Sequence, residues 1–194
     1  MFEQIDDIVA ACIQLTEEER RIFHSLLRFR RVRKRSFLLQ EGDICSSEAF
    51  IIKGCIRRYY INEDGSETNL SLAVEGWWVS DPQSFGEQSP SEMFIEALED
   101  AELLLLDYRS KNELLDRVPK FERFFRLLLQ QNLAHLQGRW RASVAWSAEQ
   151  RYTSFIDKYP HIASRVTQSQ IAKYIGVSPE FLSKMRSSMY RRAV

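Results

Sequence analysis

The sequence predicts an α+β protein: a roll or barrel of short strands with flanking helices, then one long helix, then a small all-α domain built on a helix-turn-helix. Three observations carry this. Between Leu38 and Asp107, short β-prone runs are broken by turns at Glu41-Gly42-Asp43, Lys53-Gly54, Asp64-Gly65 and Glu75-Gly76. Pro119 then introduces a long helical pattern with Phe121, Phe124, Phe125, Leu128, Leu129, Leu133, Leu136 and Trp140. Finally, the stretch from Thr167 to Arg186 holds two short helical patterns hinged at Gly176.

Size and composition set the frame. The chain has 194 residues, 44% of them hydrophobic and 28% charged, enough to bury a core in one or two domains. No run reaches the roughly eighteen apolar residues that cross a bilayer. The start Met1-Phe2-Glu3-Gln4 lacks the basic-then-apolar layout of a secretion signal, so a cytoplasmic protein away from membranes is expected. Cys12, Cys45 and Cys55 are odd in number and widely spaced, which fits reduced, buried thiols and neither a disulfide framework nor a zinc or iron–sulfur cluster. His24, His135 and His161 are too scattered for a metal site or a catalytic base, and no metal is expected.

Taken in order, Thr16-Glu17-Glu18-Glu19 forms a capping box that opens a helix with Ile22, Phe23, Leu26 and Leu27 on one face. The segment Arg28–Arg35, six basic residues in eight, reads as a strand with one solvated face and not as a nucleic-acid stripe. Asp64-Gly65 is a hairpin signal, since a primed turn needs positive φ. After it Thr68, Leu70, Leu72 and Val74 alternate with Asn69, Ser71 and Ala73, predicting one buried and one wet face. Ala49–Ile52 and Leu103–Leu106 are nearly all apolar, as inner strands are, although the second run also suits a helix.

The C-terminal stretch is the most explicit. Thr167 with Gln170 three positions on makes a capping box. Gly176 stops the first helix because it takes positive φ without a Cβ clash. Ser178 recaps and Pro179 sits at the first helical position, where a missing amide hydrogen costs nothing. Ile171, Ile175, Val177, Leu182 and Met185 would share a core, with Ala172 at the close approach. From Arg165 onward the cations Arg165, Lys173, Lys184, Arg186, Arg191 and Arg192 face one acid, Glu180, while the whole chain balances 27 basic against 27 acidic residues. A neutral protein with a basic end of this kind has a phosphate-facing footprint. The stretch reads as a DNA-binding helix-turn-helix.

Glu41-Gly42-Asp43, Phe50-Ile51-Ile52-Lys53-Gly54, Asp64-Gly65, Gly76 and Glu96-Ala97 stand in the order and spacing of a cyclic-nucleotide-binding β-roll. With the helix-turn-helix behind it, the chain resembles the CRP/FNR family of bacterial transcription regulators over nearly its full length. The resemblance implies a sensor domain over residues 1–145 that includes a dimerisation helix over about 119–145. It implies a DNA-binding domain over 146–194. One heptad seam for the dimer runs through Phe121, Phe125 and Leu128 and continues to Asn132 and His135.

Residues matching the family's base-reading positions are Pro179, Glu180 and Lys184, with Ser178 and Ser183 nearby. Thr167, Gln168, Lys173, Arg191 and Arg192 are better placed for phosphates, which position a protein without specifying sequence. The family's β-hairpin wing has no room in Ser187–Val194, so it is lost or lies beyond this sequence. The phosphate cassette aligns on Ser80-Asp81 and on Ser91-Glu92, where the family carries Gly-Glu and Arg-Ser. Without the arginine the bidentate grip on a phosphate is gone, and Glu92 would put a like charge there. Neither cyclic AMP nor cyclic GMP is therefore expected as cofactor. The pocket either holds another effector or has become a scaffold. The resemblance implies as partners double-stranded DNA, a second copy of the chain as homodimer, RNA polymerase, and a small-molecule effector. A ligand-sensing adaptor whose helical tail binds protein is the alternative. An enzyme on the roll would need a clustered triad or an acid–base pair, and the roll region has no histidine.

Overall fold

Strand β8 (Ala101–Asp107) accounts for four leucines in a row. Side chains alternate across a strand, so Leu103 and Leu105 enter the interior of the roll while Leu104 and Leu106 enter a second core outside it. A strand covered on both faces needs a continuous apolar run, and the helical alternative does not arise. The structure is a computed structural model that describes residues 1–193.

Two four-stranded sheets make the roll. In one, β8 lies between β1 (Arg28–Val32) and β3 (Ser47–Lys53), and β6 (Trp78–Val79) pairs with β3. In the other the order is β2 (Phe37–Leu39), β7 (Phe94–Ala97), β4 (Ile56–Ile61), β5 (Glu67–Ala73). Every pairing is antiparallel. Val32, Ile51, Ile56, Val79 and Ile95 fill the interior. Gly54 has φ +113° and sits so close to Ala101 that an added Cβ would lie 2.6 Å from the alanine Cβ, which fixes glycine at that turn.

The outer core lies between the β1–β8–β3 sheet and four helices. These are α1 (Glu3–Ala10), α2 (Glu17–Leu26), α4 (Tyr108–Arg117) and the start of α5 (Lys120–Ala145). The Thr16 box forms as expected, with the hydroxyl accepting from the Glu19 amide and the Glu19 carboxylate accepting from the Thr16 amide. Phe23 packs its ring tilted against that of Phe121, centroids 4.6 Å apart. His24 is a packing residue, held at 2.8 Å by Asp6 and stacked on Phe2.

Two sequence expectations are corrected here. The basic segment is not one strand: β1 ends at Val32, its one buried residue, and the chain turns through Arg35 at φ 66° before β2 begins. Asp100 accepts from the Lys34 amide and Glu102 pairs with Arg31, which anchors the turn on the hairpin into β8. Strand β5 has no wet face. A register shift in its pairing with β4 breaks the alternation. Asn69 is completely buried and Leu72 joins the core of the C-terminal helices.

After α5 ends at Ala145, that C-terminal core is built by α6 (Ala148–Lys158), α7 (Pro160–Ala163), α8 (Gln168–Ile175) and α9 (Pro179–Ala193). Ser147 and Gln150 form a full capping box at the start of α6. Among the described residues no wing follows α9, and Ser187 to Ala193 continue its helix.

Candidate nucleic-acid interface and sensor cassette

The helix-turn-helix forms where the sequence puts it. Gly176 takes φ +74° at the end of α8, and the Ser178 hydroxyl accepts from the Phe181 amide at 3.1 Å to open α9. Ile171, Ala172, Ile175 and Leu182 are buried together, with Val177 and Met185 packed against them. Phe155 and Ile162, from α6 and α7, complete that core.

At about 100° per residue, Glu180, Lys184, Ser187 and Arg191 lie on the face of α9 opposite the buried Leu182. All four are exposed, as are Ser178, Pro179 and Ser183 at its start. Ser187 was missed by alignment of motifs but follows from the periodicity. The Glu180 carboxylate turns back on the helix start, where its own amide and the Ser178 hydroxyl hold it below the usual carboxylate range. Thr167 and Gln168 are exposed at the start of α8. Arg191 is free in solvent, whereas Arg192 reaches Glu149 at 3.6 Å and the Ser188 hydroxyl.

Two residues of α8 do something the sequence did not announce. Thr167 accepts from the Gln170 amide, but the Gln170 side chain does not return to complete the box. Its oxygen accepts from Asn69 at 2.7 Å, and the Asn69 amide also donates to the Gln170 carbonyl at 2.9 Å. Lys173, expected on phosphate, donates to Glu67 of β5 at 2.8 Å. Glu67 in turn pairs at 2.5 Å with Arg57, which is 6% exposed, stacks over the Tyr59 ring and binds Glu96. Nearby, Arg165 grips Glu75 through two nitrogens and Glu99 through two more contacts. Burial pushes the Glu75 carboxyl up, but the Arg165 guanidinium and the Gly54 amide outweigh it and hold Glu75 at about 2. The helical domain is thus stitched onto the outer face of the roll.

Of the dimer seam expected at Phe121, Phe125, Leu128 and Asn132, the first three face the chain's own roll. Phe121 is 0% and Phe125 8% exposed, Leu128 packs on the same outer core, and Asn132 is exposed further along. The cause is the roll: the face that carries this seam is the one α5 lays on its own sheet, where Trp78 meets Phe125 edge to face. Roughly a quarter turn around the helix, Leu129, Leu133, Leu136, Trp140 and Val144 form an exposed apolar row.

In the cassette, Ser80, Asp81 and Ser91 are buried and Glu92 is exposed. The Asp81 carboxylate caps α3 (Pro82–Glu87), accepting from the amides of Gln83 and Ser84, and its other oxygen accepts from the Ser91 hydroxyl at 2.7 Å. So the negative charge in the cassette is Asp81's own, not Glu92's, and the chain supplies an internal anion. Close by, Arg58 donates to the Ser71 hydroxyl and the Ser80 carbonyl. Cys55 is a sealed thiol, pushed up to about 12 by burial. No cluster of metal-ligating side chains occurs among the described residues. No described helix is long and apolar enough to cross a membrane.

The architecture is thus a β-roll joined through one long helix to a helix-turn-helix domain. Residues 29–118 match the cyclic nucleotide-binding domain family. The chain is 25% identical over 165 residues to the anaerobic regulatory protein of Aggregatibacter actinomycetemcomitans, a match that covers 79% of this chain and 63% of that relative. The chain therefore spans less than two thirds of that relative's length. Among solved structures it is similar to the c-di-GMP responsive global regulator CLP of Xanthomonas campestris, with TM-score 0.77 and 16% identity over 92% of this chain and 93% of that one. It is also similar to FixK2 of Bradyrhizobium japonicum, with TM-score 0.75 and 15% identity over 87% and 86% of the two chains. A protein assigned to the CRP/FNR family from Eubacterium rectale gives 0.73 and 17% over 92% and 85%. The chain thus contains a segment that matches the cyclic nucleotide-binding domain family and shares the fold of solved CRP/FNR-type structures.

Proposed function

We propose that the protein is a DNA-binding transcription regulator that acts as a homodimer on a palindromic site, with a roll that does not take cyclic AMP. The observation that carries the reading is the free face of α9. Glu180, Lys184, Ser187 and Arg191 are exposed on the outer side of α9, which no described residue covers. Lys184 suits a guanine edge and Arg191 a phosphate. Pro179 at the first turn has no side-chain donor, so the operator differs from those read by an arginine there.

The exposed row on α5 supports the dimer. Leu133 and Trp140 stay 56% and 71% exposed in one chain, and a second α5 packed along them would bury them in a two-stranded seam. Two α9 helices would then meet successive major grooves about 34 Å apart. RNA polymerase is the partner through which such a bound dimer would act. Against cyclic AMP stands Asp81, whose carboxylate already holds the Ser91 hydroxyl and the two amides that a cyclic phosphate would need.

Selection of bound fragments from random duplexes at low salt tests the reading. A palindrome with half-sites one helical turn apart is expected, with affinity falling steeply as salt rises. The competing reading, a protein-binding adaptor, draws on Phe181 and Tyr190, which are 52% and 76% exposed on α9. Indifference to every duplex at low ionic strength would favour it.

A further inference from the structure

Between the C-terminal half of α5 and the helical domain lies a cleft of about 440 Å³. That is the size of a small-molecule site, and such sites favour domain interfaces. Its walls are aromatic and cationic: Trp140, Phe155 and Tyr174 alongside Arg139, Arg151 and Lys158, with no aspartate or glutamate among the described residues that line it.

The two arginines are placed but not neutralised. Arg139 lies 3.9 Å over the Tyr174 ring and donates to the carbonyls of Leu70, Asn69 and Tyr174. Arg151 donates to the carbonyls of Ile175 and Trp146, each at 2.9 Å. Carbonyls satisfy N–H groups but bring no net charge, and neither guanidinium has an ion-pair partner among the described residues. The Nη2 group of Arg151 has no protein acceptor there either. Other partly buried cations are paired, Arg57 with Glu67 and Glu96, Arg165 with Glu75 and Glu99, and Lys111 with Glu48, whereas Arg58, inside the roll, has the Ser71 hydroxyl and the Ser80 carbonyl. Leaving cations half-buried and uncompensated is unfavourable, and the cleft gathers two such guanidiniums beside Lys158, a place for an anion from outside.

We infer that this cleft binds a small aromatic carboxylate. A carboxylate accepts from a guanidinium fork in bidentate fashion, and a flat ring fits between aromatic walls. The cleft lies on the side of α5 turned toward the helical domain and shares Leu136 and Trp140 with the exposed row, so a second copy on that row borders its mouth. A ligand there touches α5, α6 and α8 at once, and its binding would bias how the helical domain sits on the spine. The inference does not depend on DNA binding.

Calorimetric titration of the full chain with 1-naphthoate, with 1-naphthamide as the uncharged match, tests it. Saturable binding below about 1 mM is expected for the acid, with at least tenfold weaker binding for the amide. Arg151→Gln and Trp140→Ala should each weaken the acid at least tenfold, and Arg58→Gln, inside the roll, should leave it unchanged. If Arg151→Gln fails to fold, Lys158→Gln decides, because Lys158 lines the cleft from an exposed position outside the α5 row, and unchanged binding to it overturns the proposal. Lack of saturation by the acid, equal affinity for the amide, undiminished binding to Trp140→Ala, or loss on a folded Arg58→Gln protein would each overturn the proposal.

Discussion

Asn69 on β5 gives its side-chain amide to two acceptors of Gln170 on α8, the carbonyl at 2.9 Å and the side-chain oxygen at 2.7 Å. Asn69 is 0% exposed, so this pair is the buried centre of the contact between the roll and the helical domain. Removing Asn69 takes a buried donor from both Gln170 acceptors and leaves the side-chain oxygen the longer 3.4 Å contact from Arg57. Asn69→Ala should cost about 1–3 kcal/mol, read as a lower denaturant midpoint, and should speed amide exchange in α8 more than in β8. Equal exchange in both would mean that the two parts are not joined here.

Lys173 donates to Glu67 of the roll, and in the proposed DNA complex it would have to leave that carboxylate for a phosphate. If its ammonium reaches a phosphate in the complex, Lys173→Gln should lower the slope of log affinity against log salt by about 1, alike for all sequences. Glu67→Gln removes the competing carboxylate and should tighten DNA binding. An unchanged salt slope in Lys173→Gln would confine that lysine to the domain contact.

The pair Glu75–Arg165 makes the contact acid-sensitive. Glu75 is held at about 2, below its ordinary 4.5. A depressed carboxyl binds its proton less readily when folded, so its contribution is fully present above about 4.5 and is lost as pH falls toward 2. Trp77 meets Tyr159 across the same contact, ring centroids 6.2 Å apart. Its fluorescence should therefore report undocking over that acid window, and Glu75→Gln should flatten the change.

The cassette gives a clean ligand test. Cyclic AMP at about 1 mM should leave the Tm of the wild type unchanged, since a ligand without affinity for the folded state adds no stability. Asp81→Ala loses a helix cap and the bond from Ser91. It should destabilise the roll by about 1–3 kcal/mol.

The row on α5 predicts the assembly. Leu133→Glu puts a charge into the proposed seam while leaving the folded chain intact, because Leu133 is 56% exposed. Sedimentation should find the wild type as a dimer and Leu133→Glu as a monomer with an unchanged far-UV circular dichroism spectrum. Val144→Glu, further along the same row, should act alike.

The sequence by itself determined what is local. Thr16, Thr167, Gly176, Ser178 and Pro179 announced helix ends because caps and left-handed turns are settled within three or four residues. The strands of the roll showed through their turns and the doubly apolar run 103–106. Helix α1 was not legible, since Phe2 precedes it without a side-chain cap. Only the tertiary structure decided which way each face looks. The α5 pattern offers apolar residues all round, and periodicity cannot tell the side laid on the roll from the side left for a partner. Asn69 and Gln170 read as a wet strand position and half of a capping box, yet they meet in a buried contact between segments 101 residues apart. Asp81 in the cassette is the same lesson. A carboxylate in sequence carries no sign of where its charge is spent, and the fold turned it inward onto Ser91.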